Sequence, residues 1–208
     1  MTLALLCALA CGVALAGDTR GVGWAKVLGK LTAATAFVAW GVEVGLPTRE
    51  PHGQALMLGL GLSWLGDALL LSKRTPVFLA GLVAFLFAHV AYTVAFVQLG
   101  VGWQGLAWAA PLLAGFAALV WRWLRPHVGA LGTPVLAYVC VISVMNVTCA
   151  GMIANAPHRA TLFAGALLFT VSDLFVARNR FVREDIKNRM IGLPLYFLAQ
   201  FLIIQGAR

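Results

Sequence analysis

The feature that most restricts this chain is a succession of apolar runs, each bounded by glycine, proline or charge and most of them close to the roughly 20 residues a helix needs to cross a bilayer. Eight such runs are predicted as helices: Leu3 to Ala16, Val27 to Leu46, Gln54 to Leu71, Pro76 to Leu99, Gly105 to Leu124, Pro134 to Ala154, Ala160 to Ala177 and Met190 to Gln205. The gaps between them are short, so residues 1–208 are expected to form a single polytopic, all-α transmembrane domain with no extramembrane domain. A chain with 62% hydrophobic and 11% charged residues, and a mean hydropathy of +0.91, does not have the composition of a soluble domain. The first run resembles the core of a signal peptide followed by Ala14-Leu15-Ala16-Gly17, but no Lys or Arg precedes it, and an uncleaved helix is expected.

The basic residues test this helix count, because cytoplasmic helix ends carry the excess of Lys and Arg. Gaps one, three, five and seven, with the adjoining helix ends, hold Arg20, Lys26, Lys30, Lys73, Arg74, Arg122, Arg125, Arg178, Arg180, Arg183, Lys187 and Arg189. The opposite side holds only Arg49, Arg159 and Arg208. A helix missed or invented in the middle of the chain would scramble that bias. Both termini are therefore expected on the non-cytoplasmic side of the cell (inner) membrane. The net charge of +8 reads as topogenic rather than as a nucleic-acid surface, since it lies in the gaps between apolar runs. The hydrophilic segment from Arg178 to Arg189 is predicted as a cytoplasmic loop in reach of anionic membrane lipids.

A faint repeat is present. Leu62 to Arg74 (LSWLGDALLLSKR) aligns with Leu168 to Arg180 (LFTVSDLFVARNR), placing Asp67 on Asp173 and Arg74 on Arg180. A duplication of four helices into two parallel halves would account for it.

Charged side chains in hydrocarbon cost about 2.5–3.5 kcal/mol each on insertion scales, so each asks for a reason. Here they are Lys30, Glu43, Asp67, His89 and Asp173. Glu43 lies near a helix end and can snorkel to the headgroups. Asp67 lies six residues before Lys73, and Asp173 five before Arg178, on helices predicted to run in the same direction. Lys30, Tyr138 and Tyr196 enter from that same side, within about two helical turns. His89 and Tyr92 share a helix face and are expected deeper, near the midplane, with Asn146. The layer can be chemical, or it can be a Lys30–Asp salt bridge that only locks the bundle.

Several chemistries are excluded by what is missing. His52, His127 and His158 fall in predicted gaps, which leaves His89 alone at depth and no three-histidine zinc site. Cys7, Cys11, Cys140 and Cys149 lie in apolar runs without metal-ligand spacing and read as reduced packing residues. Trp64 stands where a Gly-x-Gly-Asp protease motif would have its first glycine, and no G-x-S-x-G elbow occurs. No metal or other cofactor is expected.

The motifs Gly66-Asp67 within Leu-Ser-x-x-Gly-Asp-x-Leu-Leu, His89-x-x-Tyr92, Ser172-Asp173 followed by Ala177 and Phe181, and Tyr196-x-x-Ala199-Gln200 resemble the YhhN family of membrane proteins. Lys30 at the opening of the second helix fits as well, although the family often has Lys-Pro where this chain has Lys30-Leu31. The likeness runs from about Lys30 to Gln205. Members of that family include lysoplasmalogenases, which hydrolyse the vinyl ether of lysoplasmalogens to a fatty aldehyde and a glycerophospho-base. The resemblance implies a lysophospholipid substrate, Asp67 and Asp173 as catalytic residues, and Lys30, His89, Tyr92, Tyr138, Tyr196 and Gln200 around the substrate. Vinyl ether hydrolysis needs an acid to protonate carbon and an anion to stabilise the resulting cation, and two aspartates can divide those roles. Lys30, Arg74 and Arg178 are the candidates for the substrate phosphate. Two other readings of the same residues remain: a proton-coupled or lipid-translocating transporter, and a purely structural polar layer.

Overall fold

The computed structural model describes residues 2–49 and 51–208. Among them are eight α-helices and no β-strand: α1 (Thr2–Thr19), α2 (Gly23–Glu43), α3 (His52–Leu69), α4 (Thr75–Gln98), α5 (Trp103–Leu124), α6 (Gly132–Asn155), α7 (Ala160–Ala177) and α8 (Ile186–Gly206). Their ends carry local signals. Gly45 and Gly100, with φ of 78° and 94°, turn the chain out of α2 and α4 through the left-handed conformation that glycine adopts without a Cβ clash. Asp185 caps α8, its Oδ1 accepting from the Lys187 backbone N–H at 2.9 Å.

Six of the helices (α1, α4, α5, α6, α7 and α8) are long and apolar enough to cross a membrane. The other two are the more polar: α2 carries Lys26, Lys30 and Glu43, and α3 carries Gln54, Ser63 and Asp67. The bundle is clad in large apolar side chains. On α5, Trp108, Leu112, Phe116 and Leu119 form one exposed stripe, and α4 exposes Val83, Phe87, Val90, Val94 and Val97. In water such a surface would aggregate, whereas lipid tails solvate it.

Inside, Phe37, Leu60, Tyr92, Phe96, Met145, Phe169 and Ile203 make a continuous core across α2, α3, α4, α6, α7 and α8. The packing repeats. α1 pairs with α2 as α5 does with α6, α3 with α4 as α7 with α8, and α2 reaches α8 as α6 reaches α4. That is the arrangement expected of two parallel four-helix halves interlocked through α4 and α8. The halves differ in one respect: α1 packs on α8, but α5 does not pack along α4. Close helix approach depends on absent side chains. A Cβ on Gly29 would strike the α1 backbone at Ala14, 2.5 Å away, and one on Gly165 would strike the α8 backbone at Ile203 N, 2.8 Å away.

Three expectations change. Lys30 does not open the second helix; α2 begins at Gly23, so Lys30 projects from its interior. The segment after Ala177 is not an open loop, because a wide π-helical turn, Arg178–Val182, continues α7 and is closed by Arg183 N–H on the Arg178 carbonyl at 2.8 Å. Asp173 is consequently nine residues from the end of its helical stretch, whereas Asp67 is two residues from the end of α3.

Two measurements follow from this architecture. With the four native cysteines replaced by alanine, Thr48→Cys should react with a membrane-impermeant maleimide in intact cells and His127→Cys only after permeabilisation; protection of position 48 would mean that α2 and α3 do not span. Gly165→Val should cost about 1–3 kcal/mol by forcing α7 and α8 apart, read as a lowered thermal midpoint in detergent.

Candidate active site

Lys30 projects from α2 onto the end of α3. Its Nζ lies 3.1 Å from Asp67 Oδ1 and also donates to the Asp67 backbone carbonyl at 3.2 Å. One ammonium thus pairs with a carboxylate and satisfies a carbonyl at a helix C-terminus, where positive charge is favoured. The other carboxylate oxygen, Oδ2, accepts from the Tyr196 hydroxyl at 2.6 Å. The Tyr196 ring is held edge-on by Phe37, Phe85 and Phe169, at centroid distances of 6.0, 5.8 and 5.2 Å, which aims its hydroxyl at Asp67. Gly66 makes room for this: a Cβ there would meet the Phe85 ring at 2.6 Å. Asp67 is 2% exposed.

Asp173 is surrounded differently. Its Oδ2 accepts from the Tyr138 hydroxyl of α6 at 2.7 Å, and His89 Nε2 of α4 stands 3.6 Å from the same oxygen. The other ring nitrogen of His89, Nδ1, is 2.6 Å from the Phe85 backbone carbonyl. A carbonyl only accepts, so Nδ1 carries the proton and, in the neutral ring, Nε2 presents a lone pair toward Asp173. Nε2 is buried and has no hydrogen-bond partner among the described residues. The imidazole is wedged between Phe169, 4.6 Å away by centroid, and Tyr138, 5.2 Å away.

Both carboxylates line one cavity of about 440 Å³. Lys30, Tyr138 and Tyr196 join them at its inner part, and Phe78, Leu82, Phe116, Val120, Val139 and Ile142 form an apolar flank reaching α5. The mouth, at the end of the bundle where the basic residues collect, includes Asp18, Lys26, Lys73, Arg180, Arg183, Glu184 and Arg189. Here Asp18 pairs with Lys26 at 2.8 Å and with Arg189, while Glu184 lies 3.5 Å from both Lys73 and Arg189. The Lys73 charge, with help from Arg189, holds the Glu184 carboxyl below the usual carboxylate range, so it is anionic at neutral pH.

The layer of Lys30, Asp67, Tyr138, Asp173 and Tyr196 expected from sequence therefore converges on one cavity, and His89, which does not line the cavity, stands buried behind Asp173. The side chain leans toward the N-terminus of α4, back toward the basic end, and the extended α7 holds Asp173 deeper than its distance from Arg178 suggested. Tyr92 and Gln200 do not reach the cavity. They are fully buried beside it, Tyr92 OH donating to Gln200 Oε1 at 2.8 Å with Ser63 Oγ 3.4 Å away. Arg74 and Arg178 do not line it either; Arg178 is bound to Asn188. Asp18, Thr170 and Asn188 were missed because nothing marks them in sequence: Asp18 ends a helix, and Thr170 binds Asn146 at 2.7 Å as an ordinary packing hydroxyl would. No group of three or more His, Cys, Asp or Glu side chains among the described residues is placed to share a metal ion.

The YhhN family profile matches residues 25–207, from early α2 to the end of the chain. The human protein named lysoplasmalogenase TMEM86A is 33% identical over 171 residues, which cover 79% of this chain and 69% of that protein. Its bovine counterpart is 32% identical over the same length. A lysoplasmalogenase of Mycobacterium tuberculosis is 31% identical over 169 residues, covering 72% of this chain and 62% of its own. No solved structure matches the chain. The family match covers α2 to α8 and so takes in every residue of the cavity's inner layer: this chain belongs to the YhhN family.

Proposed function

We propose that this chain is a lysoplasmalogenase of the cell (inner) membrane, a hydrolase that cleaves the vinyl ether of an alkenyl lysophospholipid into a fatty aldehyde and a glycerophospho-base, with the basic end of the bundle toward the cytoplasm. The observation that carries this reading is the pair of carboxylates in unlike surroundings in one cavity. The names of the relatives, which span prokaryote and mammal, support the activity.

The unlike partners divide the labour. Asp67, against an ammonium and a phenol, is the carboxylate anion. Among the described residues Asp173 has no Lys or Arg at ion-pair distance, and its Oδ2 faces the Nε2 of a ring whose other nitrogen already donates to Phe85. The two atoms stand 3.6 Å apart, just beyond a hydrogen bond, and a small closure brings them within proton-transfer range, so this reading gives the transferable proton to the Asp173–His89 pair. Asp173 delivers it to the β-carbon of the vinyl ether, leaving an oxocarbenium ion whose positive charge the Asp67 carboxylate stabilises. Water adds to the α-carbon and returns a proton to the Asp173–His89 pair. The hemiacetal then collapses to aldehyde and glycerol hydroxyl, its proton passing through the same pair, so that one water is consumed and the pair is restored. The apolar flank takes the single hydrocarbon chain.

The repeated packing of the two halves favours a second reading, a transporter that uses the same carboxylates for proton coupling. Passage of unaltered lysolipid into proteoliposomes, without aldehyde, would favour it over hydrolysis.

Two experiments address the hydrolase. Asp67→Asn and Asp173→Asn should each lower aldehyde release from an alkenyl lysophospholipid by about 10²-fold or more while eluting as folded protein on size exclusion; near-normal rates in both would sink the assignment. Hydrolysis in D₂O should place one deuterium on the carbon next to the carbonyl of the aldehyde, trapped at once as its oxime, and an unlabelled product would rule out protonation at carbon.

A further inference from the structure

We propose that Arg180 and Arg183 form a phosphate site at the mouth of the cavity, which holds the phosphodiester of the lysolipid and so sets the bond that reaches the two aspartates. The inference rests on the proposed hydrolase reading and extends it to how substrate is selected.

Charge pairing singles these residues out. Six cationic side chains line the cavity: Lys26, Lys30, Lys73, Arg180, Arg183 and Arg189. Four are matched to carboxylates, Lys26 and Arg189 to Asp18, Lys30 to Asp67, and Lys73 to Glu184, which also meets Arg189. Among the described residues Arg180 is held by neutral groups. Its guanidinium donates to the Lys73 carbonyl at 3.5 Å and the Thr75 hydroxyl at 3.3 Å, and lies over the Phe78 ring at 4.4 Å. These contacts orient the fork without neutralising it. Arg183, three residues on, is exposed at the mouth; among the described residues its guanidinium makes no hydrogen bond or close ion pair and has only the more distant charge of Asp185 within electrostatic reach. Two guanidiniums with no carboxylate in contact, beside four cations that share three carboxylates, match a phosphate in charge and donor geometry.

Their place relative to Asp173 is also suitable. Arg180 follows Asp173 by seven residues on one helical stretch, which brings both to the same face and separates them by about 10 Å along the axis. The β-carbon of the vinyl ether and the phosphorus of a lysolipid are separated by seven bonds, or about 9 Å when extended. A phosphate on Arg180 therefore puts the alkenyl carbon beside Asp173. The aligned residue of the first half, Arg74, has no such place. α3 stops at Leu69 and the chain turns away, so Arg74 lies outside the cavity, whereas the π turn after Ala177 keeps Arg180 on the cavity face.

The test compares alkenyl lysophospholipid with 1-alkenyl glycerol, which has the same vinyl ether and no phosphate, and measures binding of an uncleavable saturated-ether lysophospholipid by native mass spectrometry. Arg183→Gln should lower the ratio of kcat/KM for the phosphorylated over the unphosphorylated substrate at least tenfold, mainly through KM, and Arg180→Gln with Arg183→Gln should lower it further. The uncleavable analogue should bind the purified double variant at least tenfold more weakly, while Arg180→Lys with Arg183→Lys should recover part of that binding. An unchanged ratio together with unchanged analogue binding overturns the proposal. So does a loss of phosphatidylglycerol binding in the variants with the analogue unaffected, which would assign the pair to a bilayer headgroup. If the wild type cleaves neither substrate yet binds the analogue in an arginine-dependent way, the hydrolase reading falls and the phosphate site stands.

Discussion

A lysine and an aspartate pair in the interior at the junction of α2, α3 and α8, and much of the arrangement follows from how that charge is accommodated. An isolated charge of either sign there would be expensive, and even a matched pair stabilises little against well-packed apolar side chains. What the pair does is specify. Lys30 satisfies both the carboxylate of Asp67 and the carbonyl at its helix end, and Tyr196 supplies the second carboxylate oxygen with a donor. These contacts tie three helices together in one register. The cage of Phe37, Phe85 and Phe169 makes that register rigid by fixing the phenol.

The second half of the molecule repeats the scaffold with other chemistry. Asp173 has a partner on the preceding helix, Tyr138, and one on the last helix of the opposite half, His89, as Asp67 has Lys30 and Tyr196. A cation has been replaced by a phenol, and a phenol by an imidazole. One carboxyl is thereby tied to an ammonium and the other set beside a phenol and an imidazole, the division that the proposed acid–anion pair uses. The departures from symmetry are as useful as the symmetry itself. α5 stands off from α4, which leaves the apolar flank of the cavity, and α7 runs on through a π turn where α3 stops, which keeps basic residues at the mouth.

The helices were legible because apolar length and flanking charge suffice to mark them, and α7 was placed from Ala160 to Ala177 as it is found. The errors arose where a boundary depends on something other than hydropathy. Lys26 can lie within α2 because Asp18, from the end of α1, pairs with it, so the helix starts earlier than its charge suggested. The hydrophilic run after Ala177 stays helical because its donors and acceptors are met by Asn179, Asn188 and its own backbone: Asn179 Oδ1 accepts from the Asp185 N–H at 3.1 Å. Tyr92 and Gln200 looked like cavity residues by motif, but the Tyr92 hydroxyl donates to Gln200 Oε1 in the core beside it.

Sequence by itself determined that this chain is an all-helical membrane protein with two carboxylates among apolar residues, because the penalty for burying charge and backbone polar groups in lipid is large enough to leave its mark in composition and periodicity. It did not determine which partners those carboxylates have. That was decided by tertiary packing, in which residues as distant as Asp67 and Tyr196, or His89 and Asp173, approach within hydrogen-bonding or near-contact range. The distinction between a carboxylate paired with an ammonium and one beside a phenol and an imidazole is a property of a few ångströms between helices, and helix periodicity carries no information at that scale.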